Sequence, residues 1–257
     1  MLRKIFFITF CLMVAVTGSS YAYKESIVAA WTFDGDEGDA IIDASGNANN
    51  GVLAGNAPHV GGAFGEALEY DAATTYFEVP FSESLRLLNE TSFTLAAWFV
   101  ANEIPDTNRV VLQQLDANGT GRTWLYVTSD TGGEIASYLG AGRTSSGIFV
   151  VPGEWYHVAV VVTESGDTDS VQLYVNGSPE GDPLAAGMEN CEGAFHIGAH
   201  KNPASNVWDG LLDEVVLFNK ALSQAEIESL MANGILGSAA VKPEGKLAVS
   251  WGNIKTY

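Results

Sequence analysis

Between Ser26 and Phe218 the chain is written in short apolar runs punctuated by Gly, Asn and Asp: SIVAAWTF, YFEVP, SFTLAAWFV, RTWLYVTS, WYHVAVVVT, SVQLYVNG, AFHIGAH and GLLDEVVLF. Each run has the length of a strand, and β-branched and aromatic residues dominate them. The composition agrees. With 28 Gly, 11% aromatic and only 17% charged residues among 257, the chain suits strands and tight turns rather than helical bundles. Several runs are apolar on both parities, as where Phe93, Leu95, Ala97 and Phe99 alternate with Ala96, Trp98 and Val100. Such strands need cover on both faces, which two stacked sheets provide. Val171 to Val175 runs into Asn176-Gly177, the strongest two-residue hairpin signal, and no helical pattern separates the strands, so the pairing is expected to be antiparallel. The expected fold is therefore all-β, a two-sheet antiparallel sandwich. One short helix is predicted near the carboxy end, over Gln224 to Asn233. Ser223 and Glu226 form a capping box, Ile227, Leu230 and Met231 make an apolar stripe, and Gly234 stands where a positive φ is wanted.

The ends read differently. Arg3 and Lys4 precede an apolar run from Ile5 to Val16, too short to span a bilayer, and Ser20 and Ala22 occupy the −3 and −1 positions of a cut before Tyr23. Residues 1–22 are thus expected to be a secretory signal, residues 23–237 one domain and residues 238–257 a tail. A secreted product without membrane insertion follows. It would keep one cysteine, Cys191, which excludes an internal disulfide. Twelve basic residues stand against 31 acidic ones, a formal charge of −19, and that field repels phosphate backbones and anionic lipid heads. Nucleic acid is excluded as a natural partner.

Asp213 lies in an apolar run on the parity of Leu211, Val215 and Leu217, with no basic residue within six positions. A lone buried carboxylate is costly, so it needs either an arginine brought from elsewhere or a hard cation. The stretch holding Asp34, Asp36, Asp39, Asp43 and Asn47 offers further oxygens of the kind Ca²⁺ takes. The same residues also suit plain solvent-exposed turns.

The order of these pieces resembles the laminin-G-like branch of the concanavalin A-like lectin and glucanase superfamily. The pieces are WTFDGDEGDAIIDASGNANNG, then Gly65-Glu66-Ala67-Leu68, Tyr76-Phe77-Glu78-Val79-Pro80, the strand around Trp98, Trp155-Tyr156-His157-Val158-Ala159, Leu173-Tyr174-Val175-Asn176-Gly177 and Gly210-Leu211-Leu212-Asp213-Glu214-Val215, closed by Asn219 to Ser223. The resemblance implies a jelly-roll sandwich and a structural calcium clasping the first strand to the last, at Asp34 and Asp213, with Asp43 and Asn47 as further ligands.

Hydrolases of that superfamily carry carboxylates at even spacing on one strand, so that both enter one cleft. No such motif occurs. Asp213 and Glu214 are adjacent and are expected on opposite faces, the Asp34 to Asp39 cluster is Gly-interleaved loop, and His59, His157, His196 and His200 lack zinc spacing. Sugar-binding faces pair an aromatic ring with amides and charged groups. Arg122 and Trp124 in one segment, and Asn206 and Trp208 in another, are the candidates. The expectation is a secreted, non-catalytic module binding carbohydrate. A protein-binding adhesion module and, less directly, a glycoside hydrolase are the alternatives.

Overall fold

A computed structural model describes residues 23–237, apart from 37, 88–90, 117–120, 140–141, 167–168, 187–189 and 201–205. The expected signal segment and the tail with its Trp251 lie outside the described residues. The strands are β1 (Ile27–Trp31), β2 (Ala40–Ile41), β3 (Gly51–Ala54), β4 (His59–Gly61), β5 (Glu66–Asp71), β6 (Tyr76–Val79), β7 (Phe93–Ala101) and β8 (Arg109–Leu115). There follow β9 (Gly121–Val127), β10 (Glu134–Leu139), β11 (Gly142–Phe149), β12 (Trp155–Thr163), β13 (Asp169–Val175), β14 (Ser178–Ala186), β15 (Phe195–Ile197) and β16 (Asp209–Phe218), then the helix α1 (Gln224–Asn233).

They form two eight-stranded sheets, and the pairings between strands are antiparallel, as the short turns require. The first sheet runs β14-β13-β12-β7-β16-β5-β4, with β1 also on β16; the second runs β11-β10-β9-β8-β15-β6-β3-β2. All nine residues of β7 are buried, which matches its two apolar parities. Between the sheets lies one core in which Trp31 meets Phe77 edge to face at 5.7 Å and Phe99 meets Trp208 at 5.1 Å. Asn176 and Gly177 turn β13 into β14 with φ of 50° and 82°, the positive values that a two-residue hairpin of this type needs. The remaining cysteine, Cys191, is buried and free.

The helix forms where its caps place it. Ser223 Oγ accepts from the Glu226 amide while Glu226 Oε2 accepts from the Ser223 amide at 2.9 Å. Ile227 and Leu230 then bury themselves on the outside of the first sheet, against Ala96, Ala159, Val161, Val216 and Phe218. Ser223→Ala should cost about 1 kcal/mol and lower the Tm by about 2–4 °C, readable in a thermal melt. This arrangement seals the outer face of the first sheet. Among the described residues, no such helix lies on the outer face of the second.

Candidate functional site

Two places gather polar chemistry. The first is a gap in the first sheet. One flank of β16 pairs with β5 through Asp209 to Leu212, and then with β1 through Val215 to Phe218. Asp213 and Glu214 fall between the two neighbours, where the register with β7 also slips and Glu214 takes φ +49°. This bulge corrects two expectations. Leu212, Val215 and Leu217 face the central core, so Asp213 does not share a face with Val215 and Leu217. Nor do the two carboxylates point apart, because the extra residue re-aims one of them. Both turn outward beneath the β4–β5 turn and the segment after α1.

There Asp213 Oδ2 accepts from the Phe64 amide at 3.0 Å, and Glu214 Oε2 accepts from the Ile235 amide. Asp34, just past β1, accepts from the Glu66 amide at 2.7 Å. The turn between must be glycine-built. A Cβ on Gly62 would lie 2.5 Å from Asp213 Oδ2, and one on Gly65 would lie 2.0 Å from Asp34 Oδ1. Burial pushes Asp213 up to about 9 and Glu214 up to about 7, with the Asp34 charge adding to both. Asp213 Oδ1 has no hydrogen-bond partner.

That orphaned oxygen fits the donor chemistry of a hard cation, and Asp34 and Asp213 are brought to the same turn from opposite ends of the chain. The other two expected ligands stand elsewhere. Asp43 accepts from the amides of Ala30, Ser45 and Asn49, and Asn47 donates its side-chain amide to the carbonyls of Ile27 and Val28. Among the described residues, no three His, Cys, Asp or Glu side chains stand ready as a cage. An ion here would use the two aspartates plus backbone oxygens.

The second place is the outer face of the second sheet, exposed at the ends and buried in the middle. Val52, Glu78, His196, Gln113, Thr123 and Tyr138 are successive register partners on β3, β6, β15, β8, β9 and β10. Side chains in one such row share a face, which places Val52, Glu78, His196, Gln113 and Tyr138 together. The ends of the row are 56% exposed at Val52 and 49% at Tyr138, while Phe77, Phe195, Ile197, Leu112 and Leu125, at neighbouring positions, enter the core. A second row on this face holds Val110, Tyr126 and Ala136.

Beside them Asn108, Val110, Tyr126, Tyr138, His200 and Asn206 line a cleft of about 230 Å³. Asn206 sits at φ +53°, and its carbonyl accepts from the Val110 amide at 3.0 Å. Arg143, opposite Tyr138 in register, is held by Asp130 Oδ2 at 3.0 Å and by Glu134. Burial raises the Tyr126 hydroxyl pKa, against the pull of Arg143.

Of the four residues expected to meet a ligand, Asn206 lines this cleft. Trp208 does not. It is 1% exposed, packed on Phe99, so its ring serves the core and presents no surface to a sugar. Arg122 and Trp124 lie on β9, with side chains outside the described residues. Tyr138 and Asn108 were not among the residues expected from the sequence. The alternation of Tyr126 and Tyr138 with core residues was a signal, but only register assigns them one face. His157 is buried against Trp98 at 5.2 Å, and desolvation pushes its pKa down to about 3, which makes it a neutral structural residue.

Two stacked antiparallel sheets with a polar and aromatic outer face define a β-sandwich of the jelly-roll class. Residues 71–228 match the Laminin_G_3 model of the concanavalin A-like lectin/glucanases superfamily, and the chain belongs to that family. Solved structures share the fold at low identity. The binding domain of Paraclostridial Mosquitocidal Protein 1 aligns with a TM-score of 0.65 and 16% identity over 81% of this chain and 52% of that one. Domain 4 of AbnA, a GH43 extracellular arabinanase from Geobacillus stearothermophilus, in complex with arabinotriose, gives 0.61 and 15% over 80% of this chain and 98% of that one. Trypanosoma rangeli sialidase, in complex with the inhibitor DANA, gives 0.61 and 19% over 80% of this chain. This chain spans about half of the mosquitocidal binding domain and 32% of the sialidase. No curated protein matches it by sequence.

Proposed function

We propose that this protein is a secreted, non-catalytic module that binds carbohydrate on the outer face of its second sheet. The observation that carries the reading is the cleft lined by the half-exposed Tyr138, the largely buried Tyr126, Asn108 and Asn206. Aromatic faces pack on the apolar side of a sugar ring, and amides fix its hydroxyls. The arabinotriose-bound arabinanase domain with the same fold supports it. A non-catalytic role is supported by the placement of Asp213 and Glu214, which are shut beneath the β4–β5 turn and the segment after α1 and away from this cleft. Export is proposed on the leader, with cleavage before Tyr23, whose ring is buried against Phe218 at 5.9 Å.

The proposal includes one structural calcium held by Asp34 and Asp213. When bound, the ion would neutralise the buried carboxylates and brace β1 and β16 against the β4–β5 turn. Asp43 and Asn47 would act on the neighbouring loop.

A glycan array with and without calcium tests the whole reading. Wild type should be retained by at least one glycan, and Tyr138→Ala should weaken that retention at least ten-fold, about 1.4 kcal/mol, without lowering the Tm, since Tyr138 is half exposed. Retention by protein ligands alone would favour an adhesion module. Steady release of reducing sugar, abolished by one carboxylate substitution, would favour a hydrolase.

A further inference from the structure

Beside the cleft the row of register partners holds two polar side chains with unmet hydrogen-bonding capacity. Gln113 is 0% exposed, and among the described residues neither its Oε1 nor its Nε2 has a partner. His196, its neighbour on β15, is 1% exposed and donates from Nε2 to Glu78 Oε2 at 3.0 Å, while its Nδ1 has no partner among the described residues. Buried polar atoms are nearly always paired, and an unpaired one carries the full desolvation penalty. Three such atoms side by side therefore call for an explanation.

Burial pushes the His196 pKa down, against the pull of Glu78. The neutral ring then donates a hydrogen bond from its Nε2–H to the carboxylate and leaves Nδ1 as a bare acceptor. Gln113 offers an amide donor and a carbonyl acceptor. A hydroxyl group, which gives one hydrogen bond and takes another, satisfies that set; a carboxylate or sulfate, which only accepts, leaves Nδ1 and Oε1 unmet. The row ends at Tyr138, two strands from Gln113 and so about 10 Å away, and Tyr138 lines the cleft. Ring platform and polar floor are thus set apart by the reach of a short oligosaccharide.

We infer that Gln113 and His196 form a second subsite for the sugar held by Tyr126 and Tyr138, so that the face takes an uncharged, hydroxyl-rich oligosaccharide laid across strands β15 to β10. This rests on the sugar-face reading. Tyr76 packs on the His196 ring at 5.8 Å, so a bound chain reaches the pair by displacing that ring, and its hydroxyls, directly or through one water, complete the polar atoms. Arg143, beside Tyr138, is already paired with both Glu134 and Asp130, which leaves no free positive charge there for an acidic sugar.

The test uses the full chain against uncharged arabinan, xylan, galactan and β-glucan fragments of one to four sugars, with sialyl and uronate oligosaccharides alongside. Gln113→Leu keeps the volume and removes the unpaired amide. It should hold or raise the Tm, weaken the best neutral trimer or tetramer at least ten-fold and leave the single sugar unchanged. His196→Phe, which keeps a ring of similar size, should do the same and guards against a folding defect in the first variant. If both variants bind the long fragments as wild type does, or if the acidic sugars bind best, the subsite inference fails while loss of binding in Tyr138→Ala still upholds the face. If Tyr138→Ala also binds like wild type, or no glycan binds at all, the face reading fails with it.

Discussion

In chelator, Asp213→Asn should melt above the wild type, and the difference should widen as the pH rises from about 5 to about 9. Asparagine keeps an acceptor for the Phe64 amide, which Asp213 now meets at 3.0 Å, and removes the ionisation. The sign follows from the direction of the shift. Burial raises the folded Asp213 pKa to about 9 from its ordinary value of 3.8, so the folded state binds the proton more tightly than the unfolded chain does. Wild-type stability from this group is therefore full below about pH 4 and falls continuously until about pH 9. At pH 7 the loss approaches about 4 kcal/mol, from roughly 1.4 kcal/mol per pH unit. Glu214, pushed up to about 7, adds a smaller slope of the same sign in both proteins.

Calcium should narrow the gap. An ion that binds only the folded state adds about 2.7 kcal/mol at 100 times its dissociation constant, and it does so most strongly where Asp213 is ionised. Wild type should then gain most from calcium at high pH, while Asp213→Asn should gain little. The measurement is a set of melting curves in chelator and in millimolar calcium at pH 5, 7 and 9. If Asp213→Asn melts below wild type in chelator at every pH, the buried carboxylate is stabilising through a protein donor, and the metal reading loses its energetic basis.

The bulge behind this prediction explains what a sequence can and cannot convey. Local signals translated directly: the Ser223–Glu226 capping box opened α1 at Gln224, and Asn176-Gly177 turned β13 into β14. Both depend on residues within four positions of one another. The fate of Asp213 depends on β16 having two successive neighbours, β5 and β1, and alternation along the strand gives no sign of where one neighbour ends. Parity counting therefore failed at the one position where the strand bulges. The candidate face was hidden for the same reason. Gln113 and His196 are 83 positions apart in sequence and meet only through the β8–β15 register, and Trp208 looked like a surface ring until the core closed over it. What was legible of the candidate site was chemical type; what was not was the set of neighbours that chooses a face.

Asp43→Ala should destabilise the protein by about 3–5 kcal/mol, and by the same amount with and without calcium. Asp43 is 4% exposed and holds a loop from the inside: Oδ1 accepts from the amides of Ala30 and Ser45, each at 2.9 Å, and Oδ2 accepts from Asn49 at 3.0 Å. Hydrogen bonds to an ionised acceptor contribute about 1.5–3 kcal/mol each, and deleting the acceptor leaves buried donors unmet. The damage should spread inward. The Asn49 carbonyl accepts from Trp31 Nε1 at 2.9 Å, and its side chain accepts from Ser82 and Ser84 at 2.7 Å, so a displaced loop loosens the central tryptophan. Asp43→Asn should fare little better, because its new NH₂ would meet one of the same amides donor to donor. Intrinsic tryptophan fluorescence during thermal melting would report both the lower Tm and the altered Trp31 environment. A calcium-liganding Asp43 makes the opposite forecast: Asp43→Ala would match wild type in chelator and lose only the calcium response. Equal losses in both buffers, beside a calcium response that vanishes in Asp213→Asn, would separate the loop's hub from the ion's ligand.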